Sequence, residues 1–165
     1  MRGNCSGQRR GVSSHDTEER VRGCDRIANS AVMRIARAGT AYWAMIFALG
    51  FVLGTMRVLW GAEAVGETVF VLFEVPIMLA ASALAARWLM PRFAIETRGE
   101  ALAMGALAFA LLILAELALA TGLSGMTARE WLVEAWQVPG VYGTLGQILF
   151  GLIPLLLVVA RQATR

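Results

Sequence analysis

The chain has 165 residues, 58% of them hydrophobic and 16% charged, with a formal net charge of +3. A soluble domain carries roughly 25% charged residues, and here the charges after Ala38 stand in short islands between long apolar runs. All fifteen basic residues are Arg, which excludes a Lys-containing phosphate loop, a Schiff base and a catalytic amine.

Residues 1–32 are polar, rich in Arg, Ser and Gly, and without apolar periodicity, so they read as a disordered tail. A second reading starts translation at Met33, with Met33-Arg34-Ile35-Ala36-Arg37 as a short basic leader. The tail holds Cys5 and Cys24, whose spacing does not fit a CxxC motif. It also holds His15, the only His, with both Asp residues, Asp16 and Asp25. No His-ligated haem or His-containing zinc site is therefore expected among the apolar segments, and no cofactor or metal is expected anywhere.

Residues 33–165 are predicted to form an all-α, integral membrane four-helix bundle. A spanning helix needs roughly 20 mostly apolar residues, and four segments qualify: about 40–60, 68–90, 101–121 and 141–160. Gly61 to Glu67 makes a tight turn after the first. A competing reading takes Ala62-Glu63-Ala64 as a signal-peptidase site. It is disfavoured because the preceding apolar stretch, about 17 residues, exceeds the usual 7–15. Pro91 to Gly99 is a basic loop. In the last linker Thr127-Ala128-Arg129-Glu130 has the spacing of a capping box. The Trp131, Leu132, Val133 and Trp136 that follow predict a short interfacial helix between spans three and four.

Arg placement sets the expected orientation. Arg34, Arg37, Arg87, Arg92, Arg98, Arg161 and Arg165 fall on one side, and the other keeps Arg129 with Arg57 near the end of span one. Positive loops stay cytoplasmic, so a multi-pass bacterial inner-membrane protein with both termini inside is expected. The all-Arg usage fits a GC-rich bacterial source. No aromatic-basic pattern points to nucleic acid.

Charged side chains in spanning segments cost about 2.5–3.5 kcal/mol each on insertion scales, yet Arg57, Glu74 and Glu116 are retained, with Glu67 at an entrance and Gln147 in span four. All fall near the outer ends of their spans. Gly50, Gly54 and Arg57 lie within about 60° on one helix face. Gly105, Phe109, Leu112 and Glu116 share a face of span three, and Gly140, Gly143, Gln147, Gly151 and Pro154 share one of span four. The expectation is a polar cluster in which Arg57 sits between Glu74 and Glu116 and Gln147 completes the hydrogen bonds. Such a set suits a proton, a cation or a small polar ligand. The simpler reading is a buried ion pair that fixes helix register. Pro76 and Pro154 read as tolerated bends or, for Pro76, as a hinge beside Glu74.

The stretch Gly50-Phe51-Val52-Leu53-Gly54-Thr55-Met56-Arg57-Val58-Leu59, with Glu74-Val75-Pro76-Ile77-Met78-Leu79, resembles small four-helix bacterial inner-membrane proteins of a domain of unknown function. The resemblance covers about Met33 to Val159 and implies topology only. Two functions are carried forward: a non-enzymatic accessory or structural subunit packing against a membrane complex, and a small oligomeric transporter or proton- and cation-handling protein using Arg57, Glu74 and Glu116. Expected partners are the lipid bilayer, other membrane subunits and further copies of the chain.

Overall fold

The computed structural model describes residues 14–61, 66–123, 125–138 and 140–163, with side chains from residue 29 onward except at 61 and 67. Five α-helices account for nearly all of it. Helix α1 is Ser14–Met56 and continues into one π-helical turn, Arg57–Gly61. Then come α2 Glu67–Arg92, α3 Arg98–Leu123, α4 Ala128–Ala135 and α5 Gly140–Ala163. The chain divides into two units, Met1–Arg34 and Ile35–Arg165.

In the first unit the backbone is helical from Ser14, where the sequence predicts no regular structure. Asp16, Glu18, Arg20 and Arg22 place opposite charges four residues apart, a spacing that favours a helix without any apolar stripe. Residues 1–13 lie outside the described residues.

Four helical stretches are long and apolar enough to cross a membrane: Asn29–Trp60, Thr68–Arg92, Arg98–Leu123 and Gly140–Ala163. Their outward faces are as greasy as their inward ones. Phe73 is 71% exposed and Leu84 69%, whereas an amphipathic helix in water would turn such residues inward. The largest fully buried side chains are instead Tyr42, Met90, Met104, Pro154 and Ser82, alongside fully buried alanines such as Ala38, Ala86, Ala101 and Ala108.

Helix ends are encoded locally. Before α3, Thr97 N–H donates to Glu100 Oε2 and Glu100 N–H to Thr97 Oγ1, both at 3.2 Å, a reciprocal cap. Thr127 and Glu130 make the same arrangement before α4, as the sequence predicts. The backbone N–H of Thr127 and then its hydroxyl hold the Glu130 carboxyl below its ordinary value. That stabilisation is present above the ordinary carboxylate range and is lost as pH falls through the lowered value. Helix α2 stops differently. Ile95 N–H reaches the Met90 carbonyl at 2.9 Å and Ala94 N–H the Pro91 carbonyl at 3.3 Å. Ala94 takes the left-handed conformation, φ 49°. This is the pairing that closes a helix with a 6→1 and a 5→2 bond, and it buries Ile95 and Met90 together.

Helix α5 meets each of the other three long helices. Gly105 of α3 lies so close that an added Cβ would fall on the Gly151 carbonyl oxygen, and one on Gly151 would come within 3.2 Å of Phe109 Cβ. Gly146 fits against Val75 of α2. The Tyr42 ring of α1 stacks on Phe150 at 4.6 Å, and its hydroxyl donates to the Phe150 carbonyl at 3.1 Å. That carbonyl lies four residues before Pro154, which has no N–H to offer it. Tyr42 supplies the missing donor. Helices α2 and α5 stay continuous through Pro76 and Pro154.

Not every glycine of the expected interior faces is used. A Cβ added at Gly50 would come within 3.0 Å of Met78 Cε, but one on Gly54 or Gly143 would meet nothing within 4 Å.

Two outcomes follow for stability, read as unfolding midpoints in detergent. Tyr42→Phe should cost about 1–3 kcal/mol by orphaning a buried carbonyl, and less in a Pro154→Ala background, where the backbone donor returns. Equal costs in both backgrounds would refute the account. Gly105→Ala should destabilise by about 1–3 kcal/mol through overpacking, whereas Gly143→Ala should be neutral or gain up to about 1 kcal/mol of helix propensity.

Candidate functional site

Three of the polar residues stand at matching depth. Glu74 lies seven residues after Glu67 at the start of α2, Gln147 seven after Gly140 at the start of α5, and Glu116 seven before Leu123 at the end of α3. At 1.5 Å per residue each is about 10 Å from its helix end. Arg57 is the first residue of the π turn that ends the first long helix.

Arg57 is positioned by an irregular backbone. The Thr55 hydroxyl donates to the Phe51 carbonyl at 2.7 Å, a back-bond of the kind that bends helices, just before the ladder widens. The guanidinium reaches α2: Arg57 Nη1 stands 3.6 Å from Glu74 Oε2, with side chains 32% and 15% exposed. That Glu74 oxygen is buried and accepts no hydrogen bond among the described residues, so the pair is held by charge at slightly more than hydrogen-bond distance.

Glu116 is met from α5. Gln147 Nε2 donates to both of its carboxylate oxygens, at 2.6 and 2.8 Å. Glu116 also lies within electrostatic range of Arg57 and Glu74. The cluster is thus two pairs set side by side, one joining the π turn to α2 and the other joining α3 to α5. The expectation put Arg57 between the two carboxylates. Instead it pairs directly with Glu74 and acts on Glu116 at longer range, because Gln147 already occupies both Glu116 oxygens. Glu67 begins α2, but its side chain lies outside the described residues.

Chemically, two carboxylates face one guanidinium, which leaves one negative charge for a proton or cation to balance. The Gln147 amide anchors one carboxylate, and the half-buried setting strengthens the interaction of Arg57 with the other.

Sequence reasoning did not single out Tyr42, Thr97 with Glu100, or the stack of Arg92 on Trp88, in which the guanidinium carbon lies 3.6 Å from the ring centroid. A signal existed for the first two. A proline in a helix leaves the carbonyl four residues back in want of a donor, and Thr97-Arg98-Gly99-Glu100 has the same spacing as the recognised cap. The π turn has no such signature in Thr55 to Gly61.

Compared with protein-family models, curated proteins and solved structures, the chain shows no significant match.

Gln147→Leu should destabilise the fold by about 1–3 kcal/mol, since the half-buried Glu116 carboxylate loses its donor. Adding Glu116→Leu should recover most of the loss, because removing both partners is nearly neutral. Thermal melts of the two variants in detergent check this, and a double mutant less stable than the single one would contradict it.

Proposed function

We propose that the chain is a multi-pass bacterial inner-membrane protein with both termini cytoplasmic, acting as a non-enzymatic structural or accessory subunit that packs against other membrane helices. The observation that carries this is the mutual pairing of the polar residues. Arg57 with Glu74 and Gln147 with Glu116 link the helices in two sets near one end, the arrangement expected of groups that fix register. The greasy exterior supports the lipid setting, and the contrast between the Arg-rich loops and the α4 end supports the orientation. Helix α4 then lies in the interface on the outer side. Leu132, Val133 and Trp136 are exposed on it and Trp131 is partly covered, a disposition suited to headgroup depth.

One observation favours a second reading, proton or cation handling by an oligomer. The cluster carries one more carboxylate than guanidinium, and a buried Glu74 oxygen accepts no hydrogen bond among the described residues.

Cross-linking in native membranes with photoreactive groups at Phe73 and Leu114 should capture a discrete partner band, and reporter fusions should place Phe93 inside and Leu132 outside. Purification as a monomer with no cross-linked partner would remove the subunit reading. For the second reading, proteoliposomes should show a pH-dependent flux that Glu74→Gln with Glu116→Gln abolishes. An unchanged flux in the double variant would dismiss it.

A further inference from the structure

We infer that the stripe of α2 ending in Trp88 and Arg92 is a docking site for an anionic phospholipid, with the phosphate at the Arg92 guanidinium and an acyl chain along the helix. The inference rests on the membrane reading above and adds a specific partner to it.

The stripe has the build of an amphiphile. Phe73, Ile77, Ala80, Leu84 and Trp88 succeed one another at helical spacing, each exposed, with Leu84 at 69% and Trp88 at 49%. Arg92 follows one turn later, with its guanidinium carbon over the Trp88 ring, 3.6 Å from the centroid. From Ala80 to Arg92 the helix rises about 18 Å, a little over half of a hydrocarbon core of about 30 Å. That is the reach of one leaflet, measured down from the charge.

Charge complementarity selects an anionic lipid for this end. Arg87 and Arg92 lie toward the end of α2, Arg98 opens α3 and Arg161 lies in the last turn of α5, against Glu96 and Glu100. Glu100 is already drawn into the Thr97 cap, and Arg98 Nε is held by Gln162 Oε1 at 2.8 Å. Arg87 and Arg92 have no carboxylate partner among the described residues. At the other end Arg129 is outnumbered in its own short helix by Glu130 and Glu134, so an anion is not favoured there.

The stacked geometry explains why Arg92 in particular is suited. A guanidinium lying on an indole is held in orientation by the ring quadrupole, and its outward N–H groups match phosphate oxygens in a bidentate fork. The chain therefore presents a fixed cation at the level where an interfacial Trp sits.

Native mass spectrometry of the detergent-solubilised full chain tests this, titrated with dioleoylphosphatidylglycerol or dioleoylphosphatidylcholine. The wild type should retain the glycerol lipid in preference to the choline lipid. Arg92→Gln should weaken the phosphatidylglycerol adduct by about fivefold, the worth of one basic residue near an anionic surface, and Arg129→Gln should leave it unchanged. Should Arg92→Gln fail to fold, Trp88→Leu removes the platform at an exposed site and is read the same way. Equal retention of the two lipids, undiminished binding in the folded variant, or an equal loss in Arg129→Gln would overturn the site. Failure of the membrane reading looks different: the protein would then be recovered without detergent.

Discussion

The fold hinges on a carbonyl that its own helix does not satisfy. Pro154 has no hydrogen to give Phe150, and Tyr42, on a helix distant in sequence, supplies one from its hydroxyl while its ring covers the Phe150 side chain. Ser82 of α2 is also buried and donates its hydroxyl to the Met78 carbonyl at 2.6 Å, and Ala85 and Ala86 of the same helix share the core with Tyr42 and Phe150. One buried locus therefore gathers α1, α2 and α5 with little scope for rearrangement. In surroundings without water an unmet backbone acceptor is expensive, so the phenol ties two helices together with a specificity that greasy contacts lack.

That need for specificity follows from the exterior. Lipid tails are as apolar as leucine, so helices in a bilayer gain nothing by hiding such side chains from them and associate through close packing and polar contacts. The interior answers with small residues. Gly105 and Gly151 bring two backbones nearly into contact, a Cβ added at Gly39 would come within 3.0 Å of Leu107 and the Met104 carbonyl, and Gly146 takes Val75. Close approach of this kind increases dispersion contact and leaves the larger apolar groups for the outside. The same arrangement in water would be an aggregation hazard, which is why the lipid setting proposed here and the packing pattern support each other.

How much of this the sequence disclosed depends on the length scale of the signal. The four apolar stretches and the Thr127 cap come from patterns a few residues to twenty residues long, and they appear where expected. The pairing of Glu116 with Gln147 was partly legible, because both residues share their helix faces with glycines that pack, Gly105 and Gly151. The partner of Arg57 was not fixed by such reasoning. Two carboxylates lay at similar depth, and the choice between them depends on how far a π turn carries the guanidinium toward α2, which no residue type announces. Gly54 and Gly143 mislead for a related reason: phase places a residue on a face but does not say whether a neighbour comes close there. Tyr42 lay outside the polar cluster, although Pro154 marked the acceptor it serves.

The equal setback of Glu74, Glu116 and Gln147 from their helix ends has a mechanical consequence. Sliding one helix along another by a single turn shifts its side chains by 5.4 Å, enough to part the Gln147 amide from both oxygens it now reaches, and the Gly105 notch would lose its match in Gly151 at the same stroke. Piston-like travel is thus blocked at two heights on the same pair of helices. Rocking about the Gly105 contact leaves axial positions unchanged, but the Gln147–Glu116 pair, about 16 Å along α3, resists that pivot as well.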